Sequence, residues 1–112
     1  MNIPLRIAHR VNTIEGLRAT PREFGVEMDV HGYGNRLVVH HDALTDALDL
    51  DAWLAAYQHA FVILNVKEEG IESRVREIAL AHGIERFFLL DLSVPALVKM
   101  VRAGESRVAV RV

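Results

Sequence analysis

The chain has 112 residues, of which 51% are hydrophobic and 25% charged, a composition that suits one globular domain with enough apolar material for a core. A formal net charge of −2 argues against broad electrostatic binding to nucleic acid or to an anionic membrane surface. The absence of cysteine rules out a disulfide framework and a cysteine-based zinc site. No apolar run approaches the roughly 18 residues that span a bilayer, and Arg6 comes too early for a signal peptide, so the expected location is the cytoplasm.

In chain order, Leu5 to Ala8 is a short apolar run ending in His9-Arg10 and reads as a strand. Asn12 to Arg22 is mixed, and Pro21 ends any helix there. From Gly25 to Val30 the apolar Val26, Met28 and Val30 alternate with Glu27 and Asp29, the period of a strand with one apolar face. Gly32 and Gly34 around Tyr33 mark a turn, and Leu37 to His40 returns as an extended piece. Asp49 to Gln58 has helical spacing, with Leu50, Trp53, Leu54 and Tyr57 on one face and Asp49 or Asp51 near the N-cap. Ala60 to Val66 is a continuous apolar run and so a buried strand. Glu72 to His82 is a helix with Val75, Ile78, Ala79 and Leu80 as its stripe and Gly83 as its stop. Phe87 to Leu90 is a buried strand. Val94 to Arg102 is a helix with Pro95 in its first turn and Gly104 just past its end, and Val108 to Val112 is a last strand.

Such alternation implies a parallel sheet covered by helices. A doubly wound sheet usually carries a glycine-rich turn after its first strand; here the turn is His9-Arg10-Val11-Asn12. The expected fold is therefore α/β, a partial (β/α)8 TIM-type barrel made of its first four to five β/α units. A full barrel needs about 250 residues, so residues 1–112 read as the N-terminal half of a single barrel domain. Its first and last strands would be open edges, through which self-association is expected.

Side chains two apart on a strand share a face. Glu27 shares one with Asp29; Ile63, Asn65 and Lys67 share another; Ile7 leads to His9 and Leu89 to Asp91. In each case the polar residue sits at the C-terminal end, where parallel barrels build their sites. Glu27 and Asp29, about 7 Å apart at Cα, repel unless a proton or cation separates them, and oxygen ligands favour Mg²⁺ or Ca²⁺. Lys67 suits a phosphate oxygen. His31, near the turn, is either a rim residue or structural. In extended chain, His40 and His41 point opposite ways, so one of them faces the site.

Taken together, Ile7-Ala8-His9-Arg10, Asn12-Thr13, Val26-Glu27-Met28-Asp29-Val30, Leu37-Val38-Val39-His40-His41-Asp42 and Ile63-Leu64-Asn65-Val66-Lys67 resemble the opening motifs of the glycerophosphodiester phosphodiesterase family, within the wider phosphatidylinositol-specific phospholipase C group. The resemblance implies a metal-dependent phosphoric diester hydrolase of lipid metabolism. His9 and His41 would be its catalytic acid/base pair, Arg10 and Lys67 its phosphate-binding groups, and Glu27, Asp29 and Asn65 its ligands for one Mg²⁺ or Ca²⁺. The expected partner is a small-molecule phosphodiester. Three departures accompany the match: Val11 stands where a glycine usually follows His-Arg, His31-Gly32-Tyr33-Gly34-Asn35 replaces the usual hairpin, and Asn65 replaces a metal-binding glutamate. With that charge lost, Asp91 or Glu68 would have to compensate. A weakened phosphate-binding barrel, or an inactive piece of such an enzyme, are the alternatives.

Overall fold

The computed structural model describes residues 6–110. Its elements are β1 (Ile7–Ala8), α1 (Ile14–Ala19), β2 (Gly25–Tyr33), β3 (Arg36–Val39), β4 (Leu48–Asp49), α2 (Leu50–Ala56), β5 (Phe61–Val66), α3 (Glu72–Ala81), β6 (Phe87–Leu92), α4 (Val94–Arg102) and β7 (Val108–Val110). Leu5, at the start of the expected first strand, and residues 111–112, at the end of the last, lie outside the described residues.

All strands join one mixed sheet. Its parallel strands follow one another as β1, β2, β5, β6 and β7, each paired with the next. The order steps in one direction and does not reverse, unlike that of a doubly wound sheet. An antiparallel hairpin is added to this series: β3 pairs with the distal part of β2, and β4 with β3. One edge of β2 is thus shared, by β1 at Gly25 and Val26 and by β3 from Val30 to Tyr33.

Alternation divides the sheet into two faces. Val26, Met28, Val30, Val62, Leu64, Val66, Phe87 and Leu89 join one apolar cluster with Leu17, Leu50, Trp53, Val75, Ala79, Ala96 and Met100 from the four helices. The other parity, Glu27, Asp29, Ile63, Asn65, Phe88 and Leu90, is not part of that cluster. Removing apolar area from water is worth roughly 25 cal/mol per Å², so the helix-covered face holds the fold and leaves the second face to other uses.

The local starts and stops have identifiable causes. Thr13 Oγ1 accepts from Gly16 N–H at 2.9 Å and opens α1; Ser93 Oγ accepts from Ala96 N–H and opens α4. Trp53, fully buried, donates from Nε1 to the Val11 carbonyl at 2.9 Å and ties α2 to the segment after β1.

Several expectations need correction. Strand β2 runs on through Gly32 to Tyr33, and the turn is Gly34-Asn35 alone. Gly34, at φ 61, occupies the glycine-first position of a type II′ hairpin. Helix α2 ends at Ala56 rather than Gln58. Asp49 stands at its N-cap without a capping bond, because its carboxylate is taken by Arg36 at 2.6 and 2.8 Å. Strand β6 extends to Leu92, and β4 was not anticipated.

Candidate functional site at the C-terminal strand ends

The second face of β2 and β5 carries its polar residues at one end. Asp29 lies directly across from Asn65 in the parallel register, and Glu27 across from Ile63. His9, just past β1, places Nδ1 3.2 Å from Glu27 Oε1. The histidine is exposed and the glutamate largely buried. With Nδ1 engaged, Nε2 is the nitrogen turned to other partners.

Asp29 is the most enclosed member, 2% exposed. Asn12 grips it twice: Asn12 Nδ2 donates to Asp29 Oδ2 at 3.0 Å, and Asp29 N–H donates to Asn12 Oδ1 at 3.0 Å. Asn65 Nδ2 donates to Asp29 Oδ1 at 3.4 Å. Lys67 Nζ lies 3.8 Å from Asp29 Oδ1 and 3.3 Å from Asp91 Oδ2, so one ammonium bridges two carboxylates. Asn65 Oδ1 is buried with no hydrogen-bond partner among the described residues. Since nearly all buried polar atoms are paired, this oxygen stands out.

Two predicted residues are not drawn into this network. The His41 ring pairs with Asp42 at 3.3 Å, and Arg10 is exposed with a left-handed backbone, φ 53. His41 is tied to the sheet through its backbone. Its carbonyl accepts from His31 Nε2 at 3.0 Å, while His31 Nδ1 faces Glu68 Oε1 at 3.2 Å and Glu68 Oε1 also accepts from Gly32 N–H at 3.1 Å. His31 is 5% exposed; it is a buried clamp and not a rim residue. Glu68 is thereby committed to the hairpin and does not replace the charge missing at Asn65. Gly32 suits this clamp, since a Cβ there would come within 3.1 Å of Glu68 Oε2.

Asn12 and Asp91 make contacts that the sequence did not specify: Asn12 grips Asp29, and Asp91, expected as a compensating charge, pairs with Lys67. Asn12 was visible only as part of a motif. Asp91 was placed by alternation, but on a mistaken premise: Leu89 faces the helix-side core, so strict alternation would bury Asp91 there as well. Beside the cluster, a cavity of about 320 Å³ opens between the exits of β5 and β6, lined by Lys67, Glu68, Glu69, Glu72, Asp91 and Ser93 among others. That volume lies at the lower end of small-molecule sites.

Among the described residues, no three His, Asp or Glu side chains gather as a self-sufficient metal site; the set here is two carboxylates and an amide. No family model, curated protein or solved structure matches the chain.

Proposed function

We propose that the chain belongs to a metal-dependent phosphoric diester hydrolase built on a (β/α) barrel, acting on a small glycerol-type phosphodiester. The observation that carries this reading is the arrival of His9, Glu27, Asp29, Asn65 and Lys67, from three neighbouring parallel strands, at one end of one sheet face.

The donor set suits a hard cation. Glu27, Asp29 and Asn65 offer only oxygens, as Mg²⁺ and Ca²⁺ prefer, and the donorless Asn65 Oδ1 is an acceptor that a cation would satisfy. When bound, the cation would supply charge stabilisation at a phosphoryl oxygen. The chain's own residues would do the rest. Lys67 and Arg10 would orient the phosphate by charge and hydrogen bonding. Glu27 on Nδ1 fixes the His9 ring and leaves Nε2 for proton transfer. A neighbouring substrate hydroxyl would attack phosphorus as one imidazole takes its proton, and the leaving alcohol would depart with a proton from the other, His9 and His41 sharing these roles. Water would then open the cyclic phosphate with the proton movements reversed.

The test is hydrolysis of bis(p-nitrophenyl) phosphate and of a glycerophosphodiester with Mg²⁺ or Ca²⁺ present. Turnover that falls by 10²-fold or more in both His9→Ala and His41→Ala is the expected result, the usual scale for acid/base groups. Turnover unaffected by either substitution overturns the proposal.

One observation favours a second reading. Asp29 already accepts hydrogen bonds from Asn12 and Asn65 and shares the Lys67 ammonium with Asp91, so the same face could hold a phosphodiester without turning it over. Retained binding of a phosphodiester with no hydrolysis under any divalent cation would select that reading.

A further inference from the structure

We propose that Asp91 is a positioning residue for Lys67. It supplies, from the end of β6, the negative charge that Asn65 does not carry on β5, and it holds the Lys67 ammonium back from Asp29 so that the Asp29 carboxylate stays open to a cation. The inference rests on the cation-assisted site described above.

The backbone makes the first argument. Leu89 pairs with Val108 and Leu92 with Val110, so three steps on β6 match two on β7. The extra residue is a bulge, and Asp91 occupies it with φ 72. Left-handed backbone is disfavoured for L-residues, though Asp and Asn bear it best. The bulge resets the alternation: Leu89 and Leu92 both face the core, and Asp91 is turned out to meet Lys67. A regular strand would have driven this carboxylate in among apolar side chains.

Charge makes the second. Lys67 Nζ lies closer to Asp91 than to Asp29, 3.3 against 3.8 Å. Both ends of the pair are largely enclosed, Lys67 at 19% and Asp91 at 9% side-chain exposure, so water screens it little. Without Asp91, Asp29 is the nearest carboxylate to the ammonium. An ammonium settled there would compete with a cation for the same oxygen.

The chain holds two lysines, Lys67 and Lys99, and Lys99 is exposed. Their ammonium groups can therefore be followed separately by ¹H–¹⁵N NMR, with Lys99 as the internal reference. Asp91→Asn keeps shape and tolerates the left-handed backbone. The Lys67 ammonium signal should shift in Asp91→Asn while that of Lys99 does not. Calorimetric Ca²⁺ affinity should drop about tenfold, the scale of one charge moved by a few ångströms in a partly enclosed site. The double variant Lys67→Met/Asp91→Asn should bind Ca²⁺ as the wild type does, because the competitor is gone. A Lys67 signal unmoved by Asp91→Asn overturns the positioning role. Ca²⁺ affinity that stays low in the double variant overturns the claim that Asp91 acts through Lys67. If the wild type binds neither Ca²⁺ nor Mg²⁺, the cation reading itself fails, and the lysine signal still decides whether Asp91 positions Lys67.

Discussion

Replacing Glu105 by Gln should destabilise the protein at neutral pH and matter progressively less as the solution is acidified. Glu105 is 2% exposed at its side chain and accepts from Arg76 Nε at 2.6 Å, from Arg107 Nε at 2.7 Å and from Arg107 N–H at 2.9 Å. The bonds from Arg107, with a smaller contribution from Arg76, hold its carboxyl down to about 2, against the opposing effect of burial. From the ordinary carboxyl value of 4.5, that displacement corresponds to about 3 kcal/mol at neutral pH. The sign follows from linkage: a carboxyl with a depressed folded-state pKa contributes its full stability above the unfolded pKa and loses it as pH falls through the folded one. The gap in urea-unfolding free energy between wild type and Glu105→Gln should therefore be about 3 kcal/mol at pH 7 and close between about pH 4.5 and pH 2. The difference between the two proteins isolates this group from the other carboxylates that titrate in the same range. A gap that persists unchanged to pH 2, or no gap at pH 7, would refute the reasoning.

Asn12→Ala removes both hydrogen bonds that grip the buried Asp29; the unfolding midpoint should fall by an amount worth about 2 kcal/mol, and an unchanged midpoint contradicts the assigned grip. Trp53→Phe leaves the Val11 carbonyl without its donor and opens space in the core, for a loss of about 2–3 kcal/mol by urea unfolding monitored by circular dichroism. As the sole tryptophan, Trp53 should also give blue-shifted emission in the native wild type that moves red on unfolding; native emission already red would place it in water. Burial pushes the Tyr57 phenol up to about 12, with Arg86 opposing. Alkaline absorbance of wild type minus Tyr57→Phe should therefore show ionisation near pH 12, and a difference step near pH 10 contradicts its burial.

Between Ala60 and Arg102, β5, α3 and α4 were legible because each is long enough for its period to show, and all three lie within a residue or so of expectation. The parts that were not legible are short or set by distant partners. Helix α1 has six residues and an internal glycine, too few turns for a stripe, and its start is fixed by Thr13 bonding Gly16. Strand β4 has two residues and exists only because β3 offers an edge. The turn was misplaced because Gly32 looked like a breaker, whereas its small size serves the approach of Glu68 from 36 positions away. Within the site, alternation correctly placed Glu27, Asp29, Asn65 and Lys67 on one face, since β2 and β5 are regular and in register. It misassigned the route by which Asp91 arrives, because a bulge breaks the period and no local residue type announces it.

The end of the sheet that holds Asp29 and Asn65 carries groups that folding alone does not favour. Asp29 is a carboxylate almost wholly removed from water, an arrangement that is often no more stable than an apolar substitute. Asn65 buries an oxygen with no partner among the described residues, which costs about 1–3 kcal/mol. Of the three non-glycine residues with positive φ among those described, Arg10 is assigned to the site, Leu44 lies three positions after His41, and Asp91 pairs with Lys67 across the strand ends. Each such backbone costs on the order of 1–2 kcal/mol. The buried Asp29 carboxylate, the unpaired Asn65 oxygen and the left-handed Asp91 lie at one end of the sheet, and the proposed function would account for these locally unfavourable choices together.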